Sequence, residues 1–142
     1  GHVSAESYFE IIYPNGRKPN IEASFIYGGW LFLIEKTNYR PAELFAVSLS
    51  SIRARSLAKS VGFLPAGSPI SDAFVEQSTG RLFVLGWYDL REIFNWQRSI
   101  AQPPRYVFED FLGQQEALGF DPKTLSFFVG TEDGSIFQMR AR

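Results

Sequence analysis

The chain has 142 residues, 45% of them hydrophobic and 16% aromatic, enough for one domain with a real core, and this excludes a disordered chain. Its formal charge is −1, with no basic run beyond Arg53, Arg55 and Lys59, so the electrostatic footprint of a nucleic-acid binder is missing. There is no cysteine, which excludes disulfides and thiolate metal sites, and no apolar run reaches the ~18 residues of a membrane span.

Gly1-His2 reads as the remnant of a cleaved expression tag, and residues 3–142 as a single domain; no signal peptide is visible. Residues 7–13 (SYFEIIY) predict a strand, stopped by the turn Pro14-Asn15-Gly16. A strand over 21–27 follows, then the tight hairpin signal Gly28-Gly29 and a return strand over 30–35. Residues 37–41 read as a loop and 42–49 as a third strand. The stretch 51–60 is ambiguous between a weakly amphipathic helix and a loop leading into an outer strand near 57–64; the second is preferred. Pro65-Ala66-Gly67-Ser68-Pro69 marks a break. Strands are then expected around Asp72, over 82–85 and over 92–96, with Tyr88 to Arg91 in a loop and an outer strand over 105–111. The last stretch predicts strands over 116–120, 126–130 and 135–139, separated by Asp121-Pro122 and Asp133-Gly134.

The same grammar recurs three times, near 21–64, 70–111 and 114–139. Glu22-Ala23 aligns with Asp72-Ala73 and Glu116-Ala117, and Glu43-Leu44 with Glu92-Ile93 and Ser135-Ile136. The period suits a four-stranded propeller blade, roughly 40–50 residues long. The expected architecture is therefore all-β: three four-stranded blades, half of a six-bladed β-propeller, with the third blade completed by strand 7–13. Closed propellers usually have about 4–8 blades, so three need a partner: either a second copy, making a homodimer, or a missing N-terminal half of a longer chain. The competing architecture is a three-copy sandwich or an open stack of sheets.

Tyr13-Pro14-Asn15-Gly16-Arg17, Ile21-Glu22-Ala23, the run 31–36, and Gly113-Gln114-Gln115-Glu116-Ala117-Leu118 with Thr131-Glu132 resemble the C-terminal half of a bacterial six-bladed β-propeller family. That family is largely uncharacterised, often exported, and loosely labelled esterase-like or phytase-like. The resemblance implies a propeller fold and an exported or periplasmic location; it implies no firm activity. The chain departs from the family pattern at Gln77-Ser78-Thr79-Gly80 and at Gln115.

In a propeller the first strand of each blade lines the channel, so Glu22, Asp72 and Glu116 should ring one mouth, with Lys36, Trp87, Tyr88, Glu132 and Asp133 on the same rim. Such an acidic mouth could take a cation or a small polar ligand, and an all-oxygen set suits calcium, with Asn20, Ser71, Gln114 and Gln115 adding neutral oxygens. The structural alternative is that each carboxylate caps nearby backbone N–H groups or pairs with a neighbouring cation. The only histidine is His2, so serine-histidine, cysteine-histidine and histidine-metal chemistry lack their residues. The functional expectation is a binding or scaffold module; the alternative is calcium-assisted hydrolysis of phosphate or carboxylic esters by Glu22, Asp72 and Glu116.

Overall fold

The structure, a computed structural model, describes residues 8–98, 102–109 and 113–140. Hydrophobic and aromatic residues alternate along short runs broken by turn residues, and the described residues accordingly form strands and two short 3-10 turns. A first antiparallel sheet takes β2 (Ile21–Tyr27), β3 (Trp30–Glu35), β4 (Ala42–Ser48) and β6 (Lys59–Leu64) in that spatial order. A second takes β7 (Ile70–Val75), β8 (Leu82–Gly86), β9 (Asp89–Ile93) and β10 (Arg105–Glu109). A third has three strands, β11 (Gln115–Asp121), β12 (Ser126–Thr131) and β13 (Ile136–Arg140). Strands β1 (Glu10–Ile12) and β5 (Arg55–Leu57) pair in parallel beside these. The fold is all-β, and none of the sheets closes on itself.

Each large sheet is an up-and-down meander of strands taken in sequence order, with β5 leaving the first sheet to pair with β1. The pairing registers share an irregularity. In the first sheet Ile21 faces Glu35 and Ala23 faces Ile34, so Glu22 bulges out of the ladder. Ser71 does the same in the second sheet and Glu116 in the third. A bulge adds one residue, bends the strand and re-aims the side chain that carries it. On the outer strands Val61 and Val107 are likewise extra residues at matching places.

The sheets stack, each giving one face to the next. Ala23, Phe25, Ile34 and Leu44 of the first sheet meet Val75, Leu82, Val84 and Ile93 of the second. The other face of the second, with Phe83, Leu85 and Leu90, meets Phe127 and Val129 of the third. The first strands lie side by side, β2 against β7 and β7 against β11. Beyond the first sheet, Ile11, Tyr13 and Ile52 pack on Leu33, Phe45 and Val47, with the Tyr13 ring edge-on to Phe45 at 5.0 Å. Burial pushes the Tyr13 phenol up from its ordinary pKa.

Several sequence expectations change. The register makes Ser71, not Asp72, the counterpart of Glu22 and Glu116; Asp72 corresponds to Ala23 and Ala117. The counterpart of Glu43 is Asp89 rather than Glu92, because the second meander reaches its third strand sooner. Asp89 to Arg91 are strand, not loop, and Phe94 to Trp96 are turn. Aligning acid with acid hid both offsets, since neighbouring acidic residues compete for the same column. The ambiguous stretch holds a 3-10 turn (Leu49–Ser51) and strands, with no α-helix. The strand expected over 7–13 to complete the third blade is β1 (Glu10–Ile12), and within the chain one of its edges pairs with β5. Ser7 and Gly1-His2, the expected tag remnant, lie outside the described residues, as do 110–112, where the second outer strand was expected to end.

Candidate functional site

The ends of the first two strands of every sheet meet at one rim. The backbone N–H groups of Lys36, Trp87 and Glu132 donate to the carbonyls of Asn20, Pro69 and Gln114, at 2.8, 3.0 and 2.9 Å. These three contacts are equivalent in the pairing register, so Lys36, Trp87 and Glu132 occupy the same station of successive sheets. The bulged residues Glu22, Ser71 and Glu116 lie two positions past Asn20, Pro69 and Gln114 on the same first strands.

Side chains link these stations. The Lys36 ammonium lies 3.4 Å from Glu22 Oε1 and 5.0 Å from the centroid of the Trp87 ring, joining first sheet to second. A cation over an indole face is held by the ring quadrupole and by its carboxylate partner together. The backbone carbonyl of Trp87 accepts from Gln115 Nε2 at 3.1 Å, joining second sheet to third. Tyr88 sets its ring against Trp87, with centroids 6.3 Å apart, while its N–H donates to Ser68 Oγ. Gln115 is fully buried; its Oε1, like the Trp87 Nε1, is a buried polar atom without a hydrogen-bond partner among the described residues. Buried polar groups ordinarily find a partner in the chain, in water or in a ligand.

The carboxylates of the predicted mouth have separate fates. Glu22 Oε1 accepts from Asn20 Nδ2 at 3.0 Å as well as facing Lys36. Glu116 Oε1 accepts from the Gln114 amide, two residues earlier on the same strand, as Asn20 is to Glu22. Both glutamates are exposed. Asp72, one residue past the bulge, points between the second and third sheets: its Oδ2 accepts the Leu118 N–H at 2.8 Å and its Oδ1 that of Ala73 at 2.8 Å. Glu132 is exposed at the rim. Asp133 turns away into its hairpin, where the Thr131 hydroxyl and the Ser135 N–H hold its carboxyl below the usual range. Among the described residues no three histidine, cysteine, aspartate or glutamate side chains gather as a metal-ion cluster, so Glu22, Asp72 and Glu116 are not brought together as ligands.

Sequence reasoning missed three charge clusters. Arg17 reaches both Glu35, at 3.0 Å, and the nearly buried Glu43, and the Glu43 hydrogen bond chiefly raises the guanidinium pKa. Glu92 sits between Arg81, at 2.7 Å, and Arg105. Asp89 Oδ1 lies 2.9 Å from Arg91 Nε, both side chains buried. Each pairs residues distant in sequence or hidden in a strand, and an acid every few residues gave no signal to pick them out. Trp96 lies in the core: its Nε1 donates to the Gly80 carbonyl at 2.8 Å and its ring packs edge-on against Phe25 and Phe32.

Comparison with protein-family models, with curated proteins and with solved structures finds no match. No helix among the described residues is long and apolar enough to cross a membrane.

Proposed function

We propose that the chain is a three-blade half of a six-bladed ring, working as a non-catalytic binding module whose rim takes a small polar ligand carrying positive charge. The carrying observation is the Glu22–Lys36–Trp87 linkage across two sheets, with Glu116 and Glu132 exposed beside it. An ammonium already sits on the indole face and against a carboxylate, so a ligand cation can take over the same contacts. At the rim three exposed carboxylates, Glu22, Glu116 and Glu132, stand against one half-buried ammonium, Lys36. The half-ring reading draws support from the shared bulges, from the side-by-side first strands and from the sheet faces left without a successor at the ends of the stack. The rim offers hydrogen-bonding and charge, but nothing in it pairs a nucleophile with a base, which favours binding over turnover.

A thermal-shift panel tests this. Choline, spermidine and similar ammonium compounds at millimolar levels should raise the melting temperature, and Glu116→Gln with Glu132→Gln should remove the shift. Stabilisation by phosphate or citrate alone, or by calcium alone, would argue against it.

A further inference from the structure

We propose that the ring closes by strand pairing between two copies: β1 of one copy is the fourth strand of the other copy's third sheet, antiparallel to β13. This rests on the half-ring reading and deepens it by naming the partner and the contact.

Four observations carry it. Among the described residues the third sheet has three strands where its two neighbours have four. Beside β13, where β6 and β10 stand in the other sheets, lies a groove of about 1050 Å³. Phe108, Phe127 and Met139 line its apolar side, and Arg105 and Arg140 line it as well. Unpaired strand edges of this kind invite another strand.

Chain spacing then points to β1. Leu64 ends β6 six positions before Ile70 opens β7, and Glu109 ends β10 six positions before Gln115 opens β11. β1 ends at Ile12, nine positions before Ile21 opens β2, and the 3-10 turn Pro14–Gly16 takes up the difference. β1 is shorter than β6 and β10, three residues against six and five, but it precedes the first sheet as they precede the second and third.

The segment is also already in place. Ile11 and Tyr13 rest on Phe45 and Leu33 of the first sheet, as Val107 and Phe108 of β10 rest on Phe127 and Val129 of the third. Pairing with a second copy therefore keeps those contacts. β5 occupies one edge of β1, leaving the other for β13 of the partner. A two-stranded pair is marginal alone, so the added strand also secures β1.

Charge fits the direction. Antiparallel pairing sets the first residue of β1, Glu10, beside the last of β13, Arg140. Each copy supplies one β1 and one β13 edge, so two copies satisfy each other about a twofold axis and the assembly closes.

The chain lacks cysteine, which makes cross-linking specific. Ile12→Cys protein and Gln138→Cys protein, mixed in equal amounts, should form a disulfide-linked heterodimer under mild oxidation, since directly opposed residues fall within disulfide reach. The same should hold for Ile11→Cys if the register lies one residue over, and the unmodified chain should have the mass of a dimer by light scattering. Arg140→Glu should weaken the dimer about two- to fivefold, and Glu10→Arg in the same chain should restore it. A monomer without cross-link overturns both the strand pairing and the half-ring dimer. A dimer without cross-link at either register overturns the pairing alone. Equal cross-linking of Gln138→Cys with Ser50→Cys, far from β1 in sequence, would mean random collision and also overturn the pairing.

Discussion

Arg91 is the bulkiest side chain that the fold buries completely, and it holds the crossing from the first sheet to the second. Its guanidinium donates to the carbonyls of Pro65 and Ser68, both at 3.3 Å, and its Nε lies against Asp89. Asp89 Oδ2 in turn accepts the Ser68 N–H at 3.3 Å. The loop between β6 and β7 is thus wrapped on a buried ion pair. Two buried charges are expensive singly and tolerable together. Asp89→Ala should therefore cost about 3–5 kcal/mol in urea unfolding, because Arg91 is left uncompensated. Gly67 is needed for a different reason: a Cβ there would fall 1.7 Å from Arg91 Nη1. Gly67→Ala should cost about 1–3 kcal/mol by the same measurement, as overpacking does. Neither residue stands out in the sequence, since Gly67 lies in an ordinary Pro-Ala-Gly-Ser-Pro break and Asp89 follows a rim segment rich in aromatics.

The third sheet shows what a strand pattern reveals and what it conceals. Its turns were legible: Asp121-Pro122 and Asp133-Gly134 sit where the chain reverses, as does Gly28-Gly29, whose positive φ values of 56° and 79° favour glycine. Its register was not legible, because a bulge is a backbone event that any residue can carry; Glu22, Ser71 and Glu116 share no side-chain chemistry beyond small or polar character. The turn aspartates also carry a pH signature. Asp121 accepts first from the Thr124 hydroxyl and Asp133 from the Thr131 hydroxyl, and both carboxyls are held below their ordinary range. A depressed carboxylate stabilises the folded state above its unfolded pKa, near 3.9, and loses that contribution as pH falls through the lower folded value. Asp133→Asn should thus lower the melting temperature at neutral pH, and the gap to the parent protein should close by about pH 2–3. A gap of unchanged size across that range would mean the carboxylate charge contributes nothing to the hairpin.

Across the whole molecule the sheets form a stack with a direction, and the directionality explains what the chain leaves exposed. Leu90 on the leading face of the second sheet is fully buried; Ile136 at the same station of the third is 74% exposed. Ala117 and Gly119 on that open face are exposed as well. An isoleucine so displayed, at a position buried in the preceding sheet, marks a surface that a further sheet would cover. Ile136→Lys should lower self-association at least tenfold in sedimentation while leaving the monomer's thermal stability within about 0.5 kcal/mol of the parent, the usual range for surface changes. The all-β class and the three meanders were legible because alternation and turn residues act locally. The face each sheet turns to its neighbour was not, because stacking depends on side chains far apart in sequence. The uncharged Ser71 at the middle station of the rim has a geometric consequence. A twofold ring would carry its carboxylates in two opposed arcs separated by a neutral gap on either side, so the mouth would distinguish long from round guests. A rod-shaped diamine lying from arc to arc would meet charge at both tips, whereas a spherical ion of equal charge would meet it at one.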